Sequence, residues 1–151
     1  MICDISQLPD DLAVRVADQP LIIFDGECVL CSAFYRFVLR CDPGGQFAFD
    51  TAQSEIGQAL YMALDLPHRD FETNLVILGG QIYMHLDSFA AVMSQLRLPW
   101  RALSVLSVLP QGIKTPLYRV IARNRFRVFG RYDTCPMPSS EAKARFIDGG
   151  F

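Results

Sequence analysis

The residues of this 151-residue sequence most able to do chemistry are two cysteines in Asp25-Gly26-Glu27-Cys28-Val29-Leu30-Cys31. The pair follows a short apolar run, Leu21 to Phe24, and opens a stretch of helical periodicity. That placement gives it a chemistry. A helix N-terminus presents unpaired N–H groups and a positive dipole end, which can lower a cysteine pKa from ~8.5 into the range ~3.5 to 7.5. The thiolate is the reactive species in disulfide exchange, and a second thiol three residues on shares its helix face and can resolve a mixed disulfide. At ~100° per residue, Cys28 lies roughly 150° from the centre of the apolar stripe and Cys31 roughly 90° from it. Cys28 is therefore expected as the exposed nucleophile and Cys31 as the resolving thiol at the edge of the buried face. Asp25 is expected to accept or deliver the proton of the resolving thiol. Glu27 works against the thiolate by repulsion, so the sign of the net shift is left to the structure.

The other candidate ligands do not assemble into a second site on the sequence. Structural zinc normally takes four protein ligands, and a second cysteine pair is missing. Cys41 falls on the apolar stripe of the same helix and reads as core. Cys3 lies in an N-terminal segment expected to be mobile and reads as a bystander. His68 and His85 stand singly, in a loop and at a strand end, and read as surface or locally hydrogen-bonded groups. Cys135, in Tyr132-Asp133-Thr134-Cys135-Pro136, either packs inertly or approaches the pair as a third thiol. No cofactor and no metal is expected. The alternative is a metal-binding protein using Cys28 and Cys31 with Cys135 or a ligand from another subunit.

The elements that must position the pair follow from periodicity. Leu21 to Phe24 reads as a buried strand closed by Asp25-Gly26. Leu30, Ala33, Phe34, Phe37, Val38 and Cys41 mark one face of a helix, stopped by Asp42-Pro43-Gly44-Gly45. Phe47 to Phe49 suggests a second strand, and Ser54 caps a helix carrying Ile56, Ala59, Leu60 and Ala63. Leu75 to Leu78, Gly79-Gly80 and Gln81 to His85 form a hairpin, after which Asp87 or Ser88 caps a helix through Leu96. A βαβ unit implies parallel strands, and the hairpin adds an antiparallel one. The expected fold is α/β, a mixed sheet flanked by helices in the order of the thioredoxin-like core. From Pro99-Trp100 onward, Ala102 to Leu109 and Pro116 to Arg125 read as two helices of a C-terminal extension. The expected organisation is a single domain over 1–151, with the core at 20–98, the basic helical extension at 99–138 and a tail at 139–151.

Composition narrows the class. With 51% hydrophobic and 20% charged residues the chain is ordinary globular protein. Five cysteines, an odd number, argue against a disulfide framework. Met1 to Pro20 lacks a basic start followed by an apolar block, so the expected compartment is the cytoplasm. Ala102 to Ile113, the longest strongly apolar uncharged stretch, is too short to span ~30 Å of bilayer. The formal charge of -2 conceals a bipolar chain: residues 1–87 carry a net -9, whereas residues 88–132 carry +8 and no acid. The two parts are expected to pack together, bringing Cys135 and some arginines towards the dithiol. Arg119, Arg123 and Arg127 recur every four residues and read as a solvated or internally paired face. No nucleic-acid motif accompanies them, which sets that class of partner aside. Leu96 to Ile121, with Trp100 and basic flanks, is expected to pack on the core. Membrane-surface contact is the alternative.

The motif D-x-x-C-x-x-C, met here at Asp25, Cys28 and Cys31, resembles the signature of the DCC family of thiol-disulfide oxidoreductases. The run Tyr118 to Arg131, followed by Cys135 and Pro138, looks like that family's second block. The resemblance covers roughly Pro20 to Pro138. It implies a thioredoxin-like fold with Asp25, Cys28 and Cys31 as the signature positions. It implies no particular substrate; from the dithiol itself, the expected partners are a disulfide-containing protein or a low-molecular-weight thiol, with a recycling reductant of unknown identity. Thioredoxins place a cis-proline before the third core strand. Here that stretch is Phe71-Glu72-Thr73-Asn74, with Thr73 as the replacement. A non-enzymatic module docking through the basic C-terminal helices is a further alternative.

Overall fold

The computed structural model describes residues 2–67, 71–133 and 138–147. Its sheet is built on the two most apolar runs, β2 (Leu21–Phe24) and β4 (Leu75–Leu78), which are buried along almost their whole length. With β1 (Ile2–Asp4), β3 (Ala48–Thr51) and β5 (Gln81–Met84), they form five strands in the order β1-β5-β4-β2-β3. β2 and β3 are parallel, and every other pairing is antiparallel. Alternation along β2 divides the core. Leu21 and Ile23 pack under α1 (Asp10–Ala17) and α3 (Glu55–Ala63), against Val16, Leu60 and Tyr61. Ile22 and Phe24 pack on the other face under α2 (Val29–Cys41) and α4 (Leu86–Gln95), against Tyr35, Val38, Val92 and Met93. This is a thioredoxin-like core.

Several elements depart from the sequence expectations. The N-terminal segment is ordered structure, because Ile2 to Asp4 adds an edge strand to β5 and half-buries Cys3 beside Ile82. On α2 the buried positions are Cys31, Ser32, Tyr35 and Val38. Leu30, Phe34, Phe37 and Cys41 are only half-buried, and Phe34 and Phe37 turn instead to Phe89 and Trp100. Neither Asp87 nor Ser88 caps α4. That position is His85, at φ 58°, while the Ser88 hydroxyl donates to the His85 carbonyl. Ser54 does cap α3, accepting from the Gly57 N–H at 2.8 Å. Gly57 is required there, since a Cβ would lie 2.2 Å from the Thr51 carbonyl oxygen.

The extension is a 3-10 helix (Trp100–Val108) followed by one long helix, α5 (Gln111–Phe129), which runs through Pro116 rather than starting there. Its start is set by Pro110, whose carbonyl accepts from the N–H groups of Ile113 and Lys114. The inner side of α5 is fastened at two buried ion pairs, Lys114 to Asp87 at 2.5 Å and Arg125 to Asp25 at 3.1 Å. A short α6 (Ser140–Lys143) returns the chain to the sheet, where Phe146 bridges Phe49 and Arg145 pairs with Asp42. Among the described residues no helix is long and apolar enough to cross a membrane.

Candidate active site

The turn from β2 into α2 carries the dithiol. The Asp25 carbonyl accepts from the Cys28 N–H at 3.2 Å, and the Cys28 carbonyl starts α2 by accepting from the Ser32 N–H at 2.9 Å. Cys28 is thereby the residue that caps the helix. Its Sγ accepts from the Cys31 N–H at 3.4 Å, taking the place of the serine or aspartate oxygen usual at a cap.

This geometry separates the two thiols. The Cys28 pKa is lowered to about 7, first by the hydrogen bond from the Cys31 thiol, against burial, and further by the Cys31 N–H and the Arg125 charge. The Cys31 thiol is pushed far up, because it donates to Cys28, is buried, and faces the Cys28 thiolate. Its other acceptor is Asn74 Oδ1 at 3.7 Å. The negative charge of Asp25 raises both thiols.

Asp25 is itself buried and fully engaged. Oδ1 accepts from Gln53 Nε2 at 2.7 Å and from the Glu27 N–H at 3.0 Å, and Oδ2 accepts from Arg125 at 3.1 Å. Gln53 closes a clamp on the turn by accepting from the Gly26 N–H at 3.1 Å. Arg125 also donates to the Phe71 carbonyl at 3.1 Å, tying in the loop before β4. Arg125 and Gln53 belong to the site; the expectation that some arginines reach the dithiol is met by Arg125, which it did not single out, while Gln53 was not foreseen. One signal pointed to Arg125. It stands off the i, i+4 row of Arg119, Arg123 and Arg127, and so faces the other side of the helix.

Thr73 occupies the position before β4, buried, with a trans peptide preceding it. Its carbonyl accepts from the Tyr61 hydroxyl. The next residue, Asn74, receives the Tyr118 hydroxyl oxygen on its N–H at 3.2 Å, and that hydroxyl donates to the Glu72 carbonyl at 2.8 Å. Helix α5 thus holds the loop that aims Asn74 at Cys31.

One expectation is corrected. Cys28 is not exposed: its relative accessibility is 0%, and that of Cys31 is 4%. The wheel treats the helix as isolated, whereas the strap after α5 lies across its first residue. Gly130, at φ +88°, turns the chain; Arg131 bridges Cys28; the Tyr132 N–H donates to the Glu27 carbonyl at 2.8 Å; and Arg131 pairs with the Glu27 carboxylate. Cys31 borders a cavity of about 190 Å³ whose wall includes Phe34, Asn74, His85, Tyr118 and Ile121. His85, read as a surface or locally hydrogen-bonded group, is half-buried there with its ring 4.8 Å from that of Tyr118, and burial lowers its pKa.

The structure therefore brings Asp25, Cys28 and Cys31 together with Arg125, Gln53 and Asn74. Cys135 and His68 lie outside the described residues. Among the described residues no three His, Cys, Asp or Glu side chains are grouped to hold a metal ion.

Two known proteins are similar to this chain in sequence. The uncharacterized protein YuxK of Bacillus subtilis is 35% identical over 127 residues, covering 84% of this chain and 93% of that protein. A DCC family protein of Arabidopsis thaliana, described as chloroplastic, is 28% identical over 120 residues, covering 79% of this chain and 70% of that one. No solved structure matches the chain. Residues 22–131, from the first strand of the βαβ unit to the arginine that bridges Cys28, match the family described as DCC1-like thiol-disulfide oxidoreductase, and the chain belongs to that family.

Proposed function

We propose that the protein exchanges disulfides through Cys28 and Cys31, with Cys28 as nucleophile and Asp25 as the proton acceptor for Cys31. The observation that carries this reading is the division of the dithiol: one sulfur is held as a helix cap with a pKa of about 7 and the other is kept protonated beside it.

The Cys28 thiolate attacks a substrate disulfide, forming a Cys28–substrate bond and releasing one substrate thiolate. That step removes the charge that had raised Cys31. Cys31 then gives its proton to Asp25, directly or through one water, and attacks Cys28 Sγ. A Cys28–Cys31 disulfide forms and the second substrate thiolate leaves. The dithiol has lost two electrons and the substrate has gained them, and a dithiol reductant restores the pair. Access to Cys28 requires the Arg131–Tyr132 strap to lift, and its ion pair with Glu27 is partly exposed, of the kind that contributes ~1 kcal/mol or less.

The substrate class is a disulfide, either protein-borne or the oxidised form of a low-molecular-weight thiol. The compartment this reading proposes is the cytoplasm, because an odd number of cysteines makes no disulfide framework. A Cys31→Ser variant is expected to accumulate mixed disulfides through Cys28, visible as reductant-sensitive adducts by mass spectrometry. An unreactive Cys28 that traps neither protein nor small thiol would refute the proposal.

A further inference from the structure

Helix α5 has two working sides. Lys114, Ala122 and Arg125 are buried against the core. On an adjacent side, turned about 120° from the buried one, Ile113, Leu117, Val120 and Val128 are exposed at 53, 44, 61 and 67%. At ~100° per residue these four share an arc of about 80°. Arg119, Arg123 and Arg127 run along one flank of that arc, all exposed. Among the described residues none of the three joins an ion pair. The preceding 3-10 helix exposes Leu103, Val105 and Val108, and Leu98 before it is 77% exposed. The stretch from Leu96 to Ile121 does pack on the core, through Leu96, Trp100 against Phe37, and Lys114 against Asp87, but along one side only, leaving this apolar stripe uncovered. Of the fourteen large hydrophobic residues exposed among the described residues, eleven lie between Leu98 and Phe129. A concentration of that kind marks a surface that meets something else.

Charge selects the occupant. Residues 88–132 contain eight basic residues and no acid; Lys114, Arg125 and Arg131 pair with Asp87, Asp25 and Glu27, which leaves the exposed Arg97, Arg101, Arg119, Arg123 and Arg127 as the charge this face presents. A two-fold contact with a second copy would bring this positive segment against itself, with no acid from the segment to offset it. An anionic bilayer offers both missing halves, hydrocarbon for the stripe and phosphate charge for the arginines. We propose that the 3-10 helix and α5 together seat the protein on a membrane surface rich in acidic phospholipids. The protein lies on the bilayer without spanning it. Ile121 is both exposed at the edge of the stripe and part of the wall of the cavity beside Cys31. Docking therefore carries the mouth of that cavity to the interface.

The test uses the full chain with vesicles of phosphatidylcholine alone, or with about one third phosphatidylglycerol. Trp100 is the single tryptophan and is 40% exposed, so its emission reports on seating. Binding to the phosphatidylglycerol vesicles with a blue shift of Trp100 is expected, weakened by high salt. Replacing Arg119, Arg123 and Arg127 together by Gln is expected to weaken binding roughly a hundredfold. The pair Val120→Ser and Val128→Ser is expected to weaken it about tenfold, with the circular dichroism and Cys28 reactivity of the parent retained in both variants. The proposal is overturned if the parent fails to bind phosphatidylglycerol vesicles at low salt, or if the triple variant binds as well as the parent. A concentration-dependent dimer dissolved by the two serine substitutions, without vesicle binding, would also overturn it and assign the face to a second copy.

Discussion

Helix α5 is fastened to the core twice by the same chemistry, and the two fastenings serve different ends. At its start, Lys114 meets Asp87 at 2.5 Å and also donates to the Ser107 carbonyl at 2.7 Å, joining α4, the 3-10 helix and α5. Further along, Arg125 meets Asp25 at 3.1 Å, next to the dithiol. All four side chains are nearly inaccessible to solvent. The first pair joins three helices and touches neither thiol of the pair. The second does the same packing work and also sets the electrostatics of both thiols, since the Arg125 charge lowers Cys28 and Cys31 while the Asp25 charge raises them. A buried ion pair is weak evidence for net stability, but removing one partner leaves a stranded charge. The contrast shows how a single helix gives the core rigidity at one end and reactivity at the other.

Breaking each pair singly is the sharpest way to test that contrast. Lys114→Met is expected to destabilise the fold by about 3 to 5 kcal/mol, read by urea unfolding, and to leave the Cys28 titration where it was. Arg125→Met is expected to cost about as much and, in addition, to raise the Cys28 pKa, because a favourable positive charge is lost and Asp25 is left unneutralised. Equal thiol titrations in the two variants would erase the distinction drawn between the two ends.

A smaller effect should appear with pH. Burial alone would raise the Asp87 pKa, but the hydrogen bonds from Lys114 and Gln111 outweigh it and hold the carboxyl down to about 2. Its folded value lies below its unfolded one. The stability it contributes is therefore fully present above about pH 4 and is lost as pH falls towards 2, an acid loss of roughly 2 kcal/mol. Asp50 carries the opposite sign. Burial raises it to about 6 despite the hydrogen bonds from Ser54 and Thr51, so its contribution is greatest below about pH 4 and disappears as pH rises through about 6. Asp87→Asn is expected to flatten the acid limb of the stability curve between pH ~4 and ~2, and Asp50→Asn the part between ~4 and ~6, both measured by thermal unfolding against pH.

Local signals made much of this legible in the sequence. The apolar run ending in Asp25-Gly26, the cysteine spacing and the Ser54 cap act over a few residues, and the structure places them as read. What escaped depends on residues far apart in the chain. Arg125 reaches Asp25 across a hundred positions, and nothing near either residue encodes the meeting. Cys28 is buried by Arg131 and Tyr132, which a helical wheel of α2 cannot contain. β1 is three residues long, too short for a period of two to register. The apolar richness of the segment before and within α5 read as core because composition counts side chains without the direction they face. Among the described residues fourteen large hydrophobics are exposed, most of them there, and they show the difference.

The most direct test of the divided dithiol is a thiolate titration of the reduced protein by absorbance at the thiolate band, repeated on Cys31→Ala. A single group titrating near pH 7 is expected in the parent. It should shift upward in Cys31→Ala, because the strongest hydrogen bond to the Cys28 sulfur is then gone. A parent that shows no thiolate until pH ~8.5, the ordinary cysteine value, or a Cys31→Ala variant that titrates where the parent does, would contradict the account.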